Sequence, residues 1–172
     1  MLAYGGIVFY VDETGQHGLV AAMGDLTEGA TNPNGWGFNG YEWGCYNEIV
    51  GATGVFIGTG GQNTMNIINQ GCSTIHGGVT AAQAASNAQI NGFDDWYLPS
   101  IEELELMYST IGKGGPEGNI GGFEDGTAHG SLYWSSSEHN NNTSFAVRFS
   151  DGYTFASIGK QSIRGVRAIR AF

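Results

Sequence analysis

Histidine, cysteine and serine side chains are the groups in this sequence that could carry catalysis or bind a transition metal. No two of the histidines have the i, i+4 spacing that places two metal ligands on one helical face. Neither cysteine belongs to a Cys-x-x-Cys motif. We therefore predict no metal site; the residues considered are His17, His76, His129, His139, Cys45 and Cys72.

A run of three serines, Ser135, Ser136 and Ser137, could offer a nucleophile, but the Gly-x-Ser-x-Gly pattern of a nucleophile elbow does not surround it. We interpret the run as a turn or the start of a strand, with hydroxyls bonded to the backbone. Cys45 and Cys72 could form one disulfide or stay buried as thiols, and the sequence leaves both open. We expect no catalytic residue, and no enzyme.

Charge is unevenly distributed along the chain, whose net charge is −10. All but one of the acidic residues precede Arg148, and five of the six basic residues lie from Arg148 onward. An acidic body disfavours nucleic acid as a partner, because phosphate binding needs a dense basic surface. We expect Arg167 and Arg170 of the basic tail to pair with carboxylates of the body, since charges are rarely buried unpaired.

Composition indicates a folded, loop-rich chain, with 41% hydrophobic residues, 13% charged residues and 30 glycines. No apolar stretch approaches the roughly 18 residues of a membrane-spanning helix, so no membrane insertion is expected. The N-terminus lacks the basic region and cleavage site of a signal peptide, and we expect none in this chain.

Strand and helix patterns follow one another in the order strands, helices, strands, which predicts a single α+β domain over residues 1–172. Strands are predicted over 6–11 and 17–22, and a β pattern returns from 133 to 172. Thr80 with Gln83, and Ser100 with Glu103, have the spacing of capping boxes. The helices predicted from these signals cover residues 63–70, 81–91 and 100–111.

Several sequence blocks resemble one known family. The most specific are Trp96-Tyr-Leu-Pro-Ser100, Tyr133-Trp-Ser-Ser-Ser-Glu138 and Val166-Arg-Ala-Ile-Arg-Ala-Phe172. They resemble the family that contains the C-terminal domain of the Lcl collagen-like adhesin, and the resemblance covers nearly the whole chain. That family is similar to C-type-lectin-like folds, which implies that the first and last strands are adjacent and that loops carry ligand binding.

The C-terminal pattern also resembles the variable proteins of diversity-generating retroelements. This resemblance implies a hypervariable stretch that ends in a strand of the type seen at residues 166–170. In this chain that stretch lies between Glu138 and Val166, and we place the variable binding segment at residues 139–162.

Calcium is the one cofactor that the lectin resemblance leaves open, and we expect no cofactor. Glu138, Asn140, Asn141 and Asp151 could supply oxygen ligands. The Glu-Pro-Asn and Gln-Pro-Asp triplets that accompany calcium-dependent sugar binding do not occur in the sequence.

A hairpin over residues 144–158 is predicted to form the binding face. Asp151-Gly152 signals a two-residue turn, which would pair Ser150 with Tyr153, Arg148 with Phe155 and Ala146 with Ser157. The alternate residues Phe145, Val147 and Phe149 should then face the core. The alternative is that the glycine-rich loop over 112–130 covers the outward face. The predicted ligand-binding residues are His139, Asn140, Asn141, Asn142, Thr143, Arg148, Ser150, Asp151, Tyr153, Phe155, Ser157, Gln161 and Ser162.

These patterns favour a non-enzymatic protein that recognises a protein or glycan ligand on a cell surface, displayed on a phage particle or a bacterial cell. The leading form is a hypervariable protein diversified by a retroelement. The first alternative is an invariant surface adhesin module that binds anionic polysaccharide through its basic tail. A second is a formylglycine-generating-like enzyme, although no close cysteine pair is present for its active site.

Overall fold

Two antiparallel sheets and three helices make up the fold in the computed structural model, which describes residues 2–35, 37–126 and 129–172. This arrangement confirms the α+β class predicted from the sequence. None of the helices in these ranges is long and apolar enough to cross a membrane. The elements are β1 (Leu2–Ala3), β2 (Gly6–Val11), β3 (Gly18–Ala21), α1 (Gly60–Gln70), α2 (Ala81–Asn87), α3 (Ile101–Ile111), β4 (Leu132–Glu138), β5 (Thr143–Arg148), β6 (Tyr153–Gly159) and β7 (Ile169–Ala171).

The first sheet has the strand order β1-β2-β3-β7. Residues 6–11 and Ile169 therefore share a sheet, whereas residues 166–168 precede the last strand. The last strand pairs with β3, through Leu19 with Ala171 and Ala21 with Ile169. The expectation that the first and last strands are adjacent is wrong: β2 is flanked by β1 and β3, and the last strand pairs along the other edge of β3.

Capping signals mark the starts of α2 and α3, whereas α1 begins at Gly60, three residues before its predicted start and without a side-chain cap. Ser100 and Glu103 form a complete capping box at the start of α3. At α2 the Thr80 side chain accepts from the Gln83 amide, but the Gln83 side chain bonds to Asn87 instead of returning to the cap.

α2 ends at Asn87 and does not reach the predicted residue 91. Asn91 and Gly92 have φ values of 52° and 84° and form a two-residue turn, across which Ile90 bridges to Phe93. An Asn-Gly pair favours this turn because both residues tolerate positive φ. The helix prediction overlooked that signal.

The second sheet has the order β4-β5-β6 and is packed on both faces. Successive residues of a strand point to opposite faces, so Tyr133 and Trp134 of β4 enter different clusters of buried side chains. Trp134 joins Trp43 on one face, whereas Tyr133 meets side chains of α3 and Phe149 on the other. This double packing holds the β5–β6 hairpin in place.

The β5–β6 hairpin has a longer turn than predicted. β5 ends at Arg148 and β6 begins at Tyr153, and these two residues pair directly, while Ala146 pairs with Phe155. The predicted pairs of Ser150 with Tyr153, Arg148 with Phe155 and Ala146 with Ser157 are therefore wrong.

Burial of Phe149 explains the longer turn. Its side chain is fully buried and contacts the rings of Tyr108, Phe123 and Tyr133, so the chain leaves the strand at this residue to reach the core. Gly152, with φ at +77°, closes the turn by donating its amide to the Arg148 carbonyl.

Candidate functional site

The serine run lies inside the protein, where each hydroxyl bonds to the backbone. Ser135 donates to the Phe145 carbonyl and Ser136 to the Pro99 carbonyl. Ser137 donates to the Gly54 carbonyl at 2.7 Å and accepts from the Ile101 amide at 3.0 Å. All three serines are completely buried. The interpretation of these hydroxyls as structural is confirmed.

Cys45 and Cys72 are joined in a disulfide, with Cα atoms 4.8 Å apart. The bridge ties the segment that precedes residue 46 to the end of α1, which stops at Gln70. This settles the alternative between a bridge and two free thiols in favour of the bridge.

A buried ion pair between Lys160 and Glu138 connects the hairpin to the disulfide loop. The Lys160 Nζ lies 2.7 Å from Glu138 Oε1, donates to the Glu48 carbonyl and sits 4.6 Å from the centre of the Trp43 ring. Both charged side chains are almost fully buried. Burial lowers the pKa of the Lys160 ammonium, and the neighbouring Glu138 carboxylate opposes this effect.

The same glutamate fixes a loop. Glu138 accepts the backbone amides of Val50 and Gly51 at 3.0 Å. The sequence assigned Glu138 to a possible calcium site and gave no role to Lys160. Lys160 follows the end of β6 in a turn, and no local pattern in the sequence marks its pairing with Glu138.

Two further glutamates hold irregular segments from within the core. Glu103 accepts the Gly58 and Ser100 amides, each at 2.7 Å, and its burial raises the pKa of its carboxyl. Glu42 accepts the amides of Ile75 and His76. Sequence reasoning missed both as loop anchors, although Glu103 was predicted as part of a capping box.

Two arginines of the basic tail are turned inward, as predicted. Arg167 pairs with Asp25 at 2.7 Å, and Arg170 pairs with Asp95 at 2.6 Å. Arg167 is 1% exposed and Arg170 is 8% exposed. Because Lys160 is also buried, three of the five cations in the tail form internal ion pairs. This removes most of the basic surface expected to bind a polyanion.

Four residues at the tip of the β5–β6 hairpin form an aromatic and charged cluster, which we call the tip patch: Arg148, Asp151, Tyr153 and Phe155. Asp151 and Tyr153 are exposed, whereas Arg148 and Phe155 are partly buried. The rings of Tyr153 and Phe155 meet edge to face at 4.7 Å. The Arg148 guanidinium lies 5.2 Å from the Phe155 ring centre and 5.8 Å from that of Tyr153. Tyr153 is 58% exposed.

Asp151 orders the tip patch. Its carboxylate accepts from Arg148 Nε at 2.9 Å and from the Tyr153 amide at 3.1 Å. The hydrogen bond from Arg148 holds the pKa of the Asp151 carboxyl below its ordinary value. The patch is thus a fixed group of two rings with a neutralised ion pair. Ser150 lies in the turn beside it.

The remaining predicted residues lie at the other end of the hairpin. The asparagine turn, His139 to Asn142, connects β4 to β5, and the Asn140 side chain accepts the amides of Asn142 and Thr143. The Lys160 amide donates to the Asn142 carbonyl, which brings Gln161 and Ser162 to the same end. Along β5, Thr143 lies about 17 Å from Arg148, at roughly 3.4 Å per residue, whereas Phe155 pairs with Ala146 and lies nearer to the asparagine turn.

The predicted residues therefore fall into two regions, one at each end of the hairpin. Ser157 lies between them and is exposed, whereas Gln161 and Ser162 are only partly exposed. Val147 and Phe149 are buried as predicted, but Phe145 is not fully buried and packs beside the His139 ring at 5.5 Å.

The alternative covering of this surface involved the loop over residues 112–130, of which 127 and 128 lie outside the described residues. Phe123 of this loop packs against Phe149 and Tyr133, at ring distances of 4.3 and 5.6 Å. These contacts lie on the face of the sheet that meets α3, whereas Phe155 pairs with Ala146, whose side chain joins the cluster on the other face.

The oxygens considered for calcium are dispersed. Glu138 is buried against Lys160, Asp151 is bound to Arg148 at the tip, and Asn140 lies at the opposite end of β5. Across the part of the chain that the structure describes, no group of three His, Cys, Asp or Glu side chains is placed to hold a metal ion.

Comparison with known proteins gives one family. A search of curated proteins finds no match. The model of the Lcl C-terminal domain matches residues 46–170, a range that includes all three helices, both regions of the hairpin and the disulfide partner Cys72. Because this match covers most of the chain, the protein belongs to the Lcl C-terminal domain family.

Proposed function

We propose that this domain is a non-enzymatic, adhesin-like recognition module that acts at a cell surface and contacts its ligand through the tip patch. The family match supports an adhesin-like surface module. The observation that carries the site is the exposed Tyr153, which is held by the ring of Phe155 and the guanidinium of Arg148. Tyrosine and arginine are enriched among the residues that dominate binding energies.

Preorganisation is the physical reason to favour this location. Binding costs the conformational entropy of every side chain that becomes ordered. Asp151 already fixes Arg148 and the start of β6, so a ligand would order few additional groups. The asparagine turn and Ser157 extend the surface toward larger ligands.

The ligand we propose is a glycan or protein that is not a polyanion. Lys160, Arg167 and Arg170 are buried in internal ion pairs, and Arg148 is bound by Asp151. The net charge of −10 would repel a sulfated or phosphorylated polymer. Binding of an anionic polysaccharide through the basic tail therefore loses its physical basis. Recognition of a ligand by stacking and hydrogen bonding at the tip patch does not depend on that tail.

The direct test is binding of the fluorescently labelled domain to a panel of bacterial cells, measured by flow cytometry. Tyr153→Ala and Arg148→Ala should each weaken binding about tenfold or more, the effect of losing a dominant contact. Tyr46→Ala is the matched control, because Tyr46 is also exposed, at 37%, but lies outside the hairpin. Equal binding by the wild type and both tip variants would place the site elsewhere.

A finer form of this proposal is that residues 139–162 are diversified by a retroelement. Its support is the division of this segment into exposed side chains, at the tip patch and the asparagine turn, and fully buried ones such as Ser144, Ala146 and Lys160. Such a division allows the exposed set to change while the buried set preserves the fold. The nucleotide sequence beside the gene tests it: a reverse transcriptase and a template repeat are expected, and their absence would leave an invariant adhesin module.

A further inference from the structure

A second concave surface lies away from the hairpin, between residues 24–29 and the end of α2. It encloses about 550 Å³, within the range of roughly 300–1,000 Å³ typical of small-molecule sites. Its floor is apolar. The side chains of Ala84 and Ala88 are small, so they leave room above the floor for a ligand. The side chains of the floor are Leu26, Val79, Ala84, Ala88 and Ile90.

The polar wall of this cleft is held in place by bonds to the rest of the fold. The Tyr41 hydroxyl donates to the Glu28 carbonyl at 2.8 Å, and the Val79 amide donates to the Gly29 carbonyl. Burial, with a smaller effect of Glu28, raises the pKa of Tyr41 to about 12, so this hydroxyl keeps its proton near neutral pH.

The opposite wall is formed by carboxamides. Gln83 donates to Asn87 Oδ1 at 2.7 Å, so the NH₂ group of Asn87 is the part of that side chain that can donate a hydrogen bond to a ligand. Gln89 beside it is exposed and can both donate and accept. Such groups suit the hydroxyls of a sugar ring.

The charge of the cleft is negative. Asp25 is engaged by Arg167 at 2.8 Å and by the Tyr133 hydroxyl at 2.7 Å. Among the described residues that line the cleft, Glu28 carries the carboxylate that lies outside an ion pair, and none is lysine or arginine. An anionic ligand would meet repulsion here, and a cationic one attraction.

We infer that this cleft binds an amino sugar. The apolar face of the ring would rest on the alanine-lined floor, the ammonium would pair with Glu28, and the hydroxyls would bond to Asn87 and Gln89. This site is separate from the tip patch, so the two assignments stand or fall independently.

The test is titration of the ¹⁵N-labelled full chain with glucosamine, glucose and glucuronate, followed by amide chemical shifts. Glucosamine should bind about fivefold more tightly than glucose, the effect of one exposed charge contact, and glucuronate more weakly than either. The shifts should be confined to residues 24–29 and 84–90. Shifts confined to the hairpin over 143–159 would assign the sugar to the tip patch and overturn the cleft site.

Variants separate the charge contact from general effects. Glu28→Gln should reduce the affinity for glucosamine to that for glucose and leave glucose binding unchanged, whereas Asn87→Ala should weaken both sugars. Glu13→Gln, an exposed carboxylate in the β2–β3 turn, is the matched control and should change nothing. An unchanged preference for glucosamine in Glu28→Gln, or equal binding of glucuronate, would overturn the inference.

Discussion

The ammonium of Lys160 and the carboxylate of Glu138 form an ion pair at 2.7 Å, with the two side chains 0% and 2% exposed. The pair joins the end of β6 to the end of β4 and, through the Val50 and Gly51 amides, to the loop that follows the disulfide. The hairpin that carries the tip patch is therefore braced at its base by buried charge.

Breaking this pair should be costly. Lys160→Met or Glu138→Gln should each lower the free energy of unfolding by about 3–5 kcal/mol, because each leaves a buried charge without its partner. The double variant should lose clearly less than the sum of the two. Urea denaturation of the four proteins measures this, and Arg148→Met, which opens the exposed pair at the tip, is the control expected to have little effect. Additive losses would show that the two charges do not interact.

The disulfide should contribute substantially to stability. Its cysteines are 27 residues apart, and cross-linking a loop of this length is expected to stabilise the fold by about 3–4 kcal/mol through the unfolded state. Denaturation of the wild type and the Cys45→Ser, Cys72→Ser double variant, under identical non-reducing conditions, gives the difference. A loss below about 1 kcal/mol would contradict this account.

The serine run should prove structural. Ser137→Ala removes the partner of both the Gly54 carbonyl and the Ile101 amide, so the free energy of unfolding should fall by about 1–3 kcal/mol. Ser157→Ala, at an exposed position of β6, should stay within about 0.5 kcal/mol of the wild type. The stabilities of the two variants are compared by thermal unfolding. If they are equally stable, the Ser137 hydroxyl does not have the structural role assigned to it.

Asp95 should make stability depend on acidity. Its hydrogen bond with Arg170 lowers the pKa of the Asp95 carboxyl below 3.8. Because the folded pKa lies below the unfolded one, the contribution of this pair is complete above 3.8 and is lost as pH falls through the folded value. The Asp95 side chain is 54% exposed, so solvent screening keeps the contribution below about 1 kcal/mol.

The measurement is the unfolding free energy of wild type and Asp95→Asn at about pH 7 and about pH 2.5. At the higher pH the wild type should be more stable than Asp95→Asn. At the lower pH the difference between the two proteins should be smaller. A difference that does not change with pH would show that Asp95 titrates as it does in the unfolded chain.

Local signals in the sequence predicted much of the fold. The capping box of Ser100 and Glu103, the end of α1 at Gln70 and the pairing of Arg167 with a carboxylate follow from short-range chemistry or from the cost of a buried charge. Strand order could not be predicted in the same way. Both β2 and β3 have apolar patterns that would accept a terminal strand, and only the position of β1 decides between them.

The candidate site was predicted in composition but not in geometry. Period-two alternation correctly placed Arg148, Tyr153 and Phe155 together, whereas burial of Phe149 lengthened the turn and changed their pairing. Glu138 was named for its oxygens, yet its partner Lys160 lies 22 residues away, and a single sequence gives no signal for such a contact.

The most direct test of the central claim replaces the tip patch as a whole and measures folding and binding together. A variant with Arg148→Ser, Tyr153→Ser and Phe155→Ser should melt within about 5 °C of the wild type, since none of the three side chains is fully buried and each surface change costs about 0.5 kcal/mol. The same variant should lose binding to the bacterial cells that the wild type recognises. Phe149→Ala, a buried neighbour, should instead lower the melting temperature by about 10 °C, from a loss of about 3–5 kcal/mol. A triple variant that unfolds, or one that still binds like the wild type, would contradict the account.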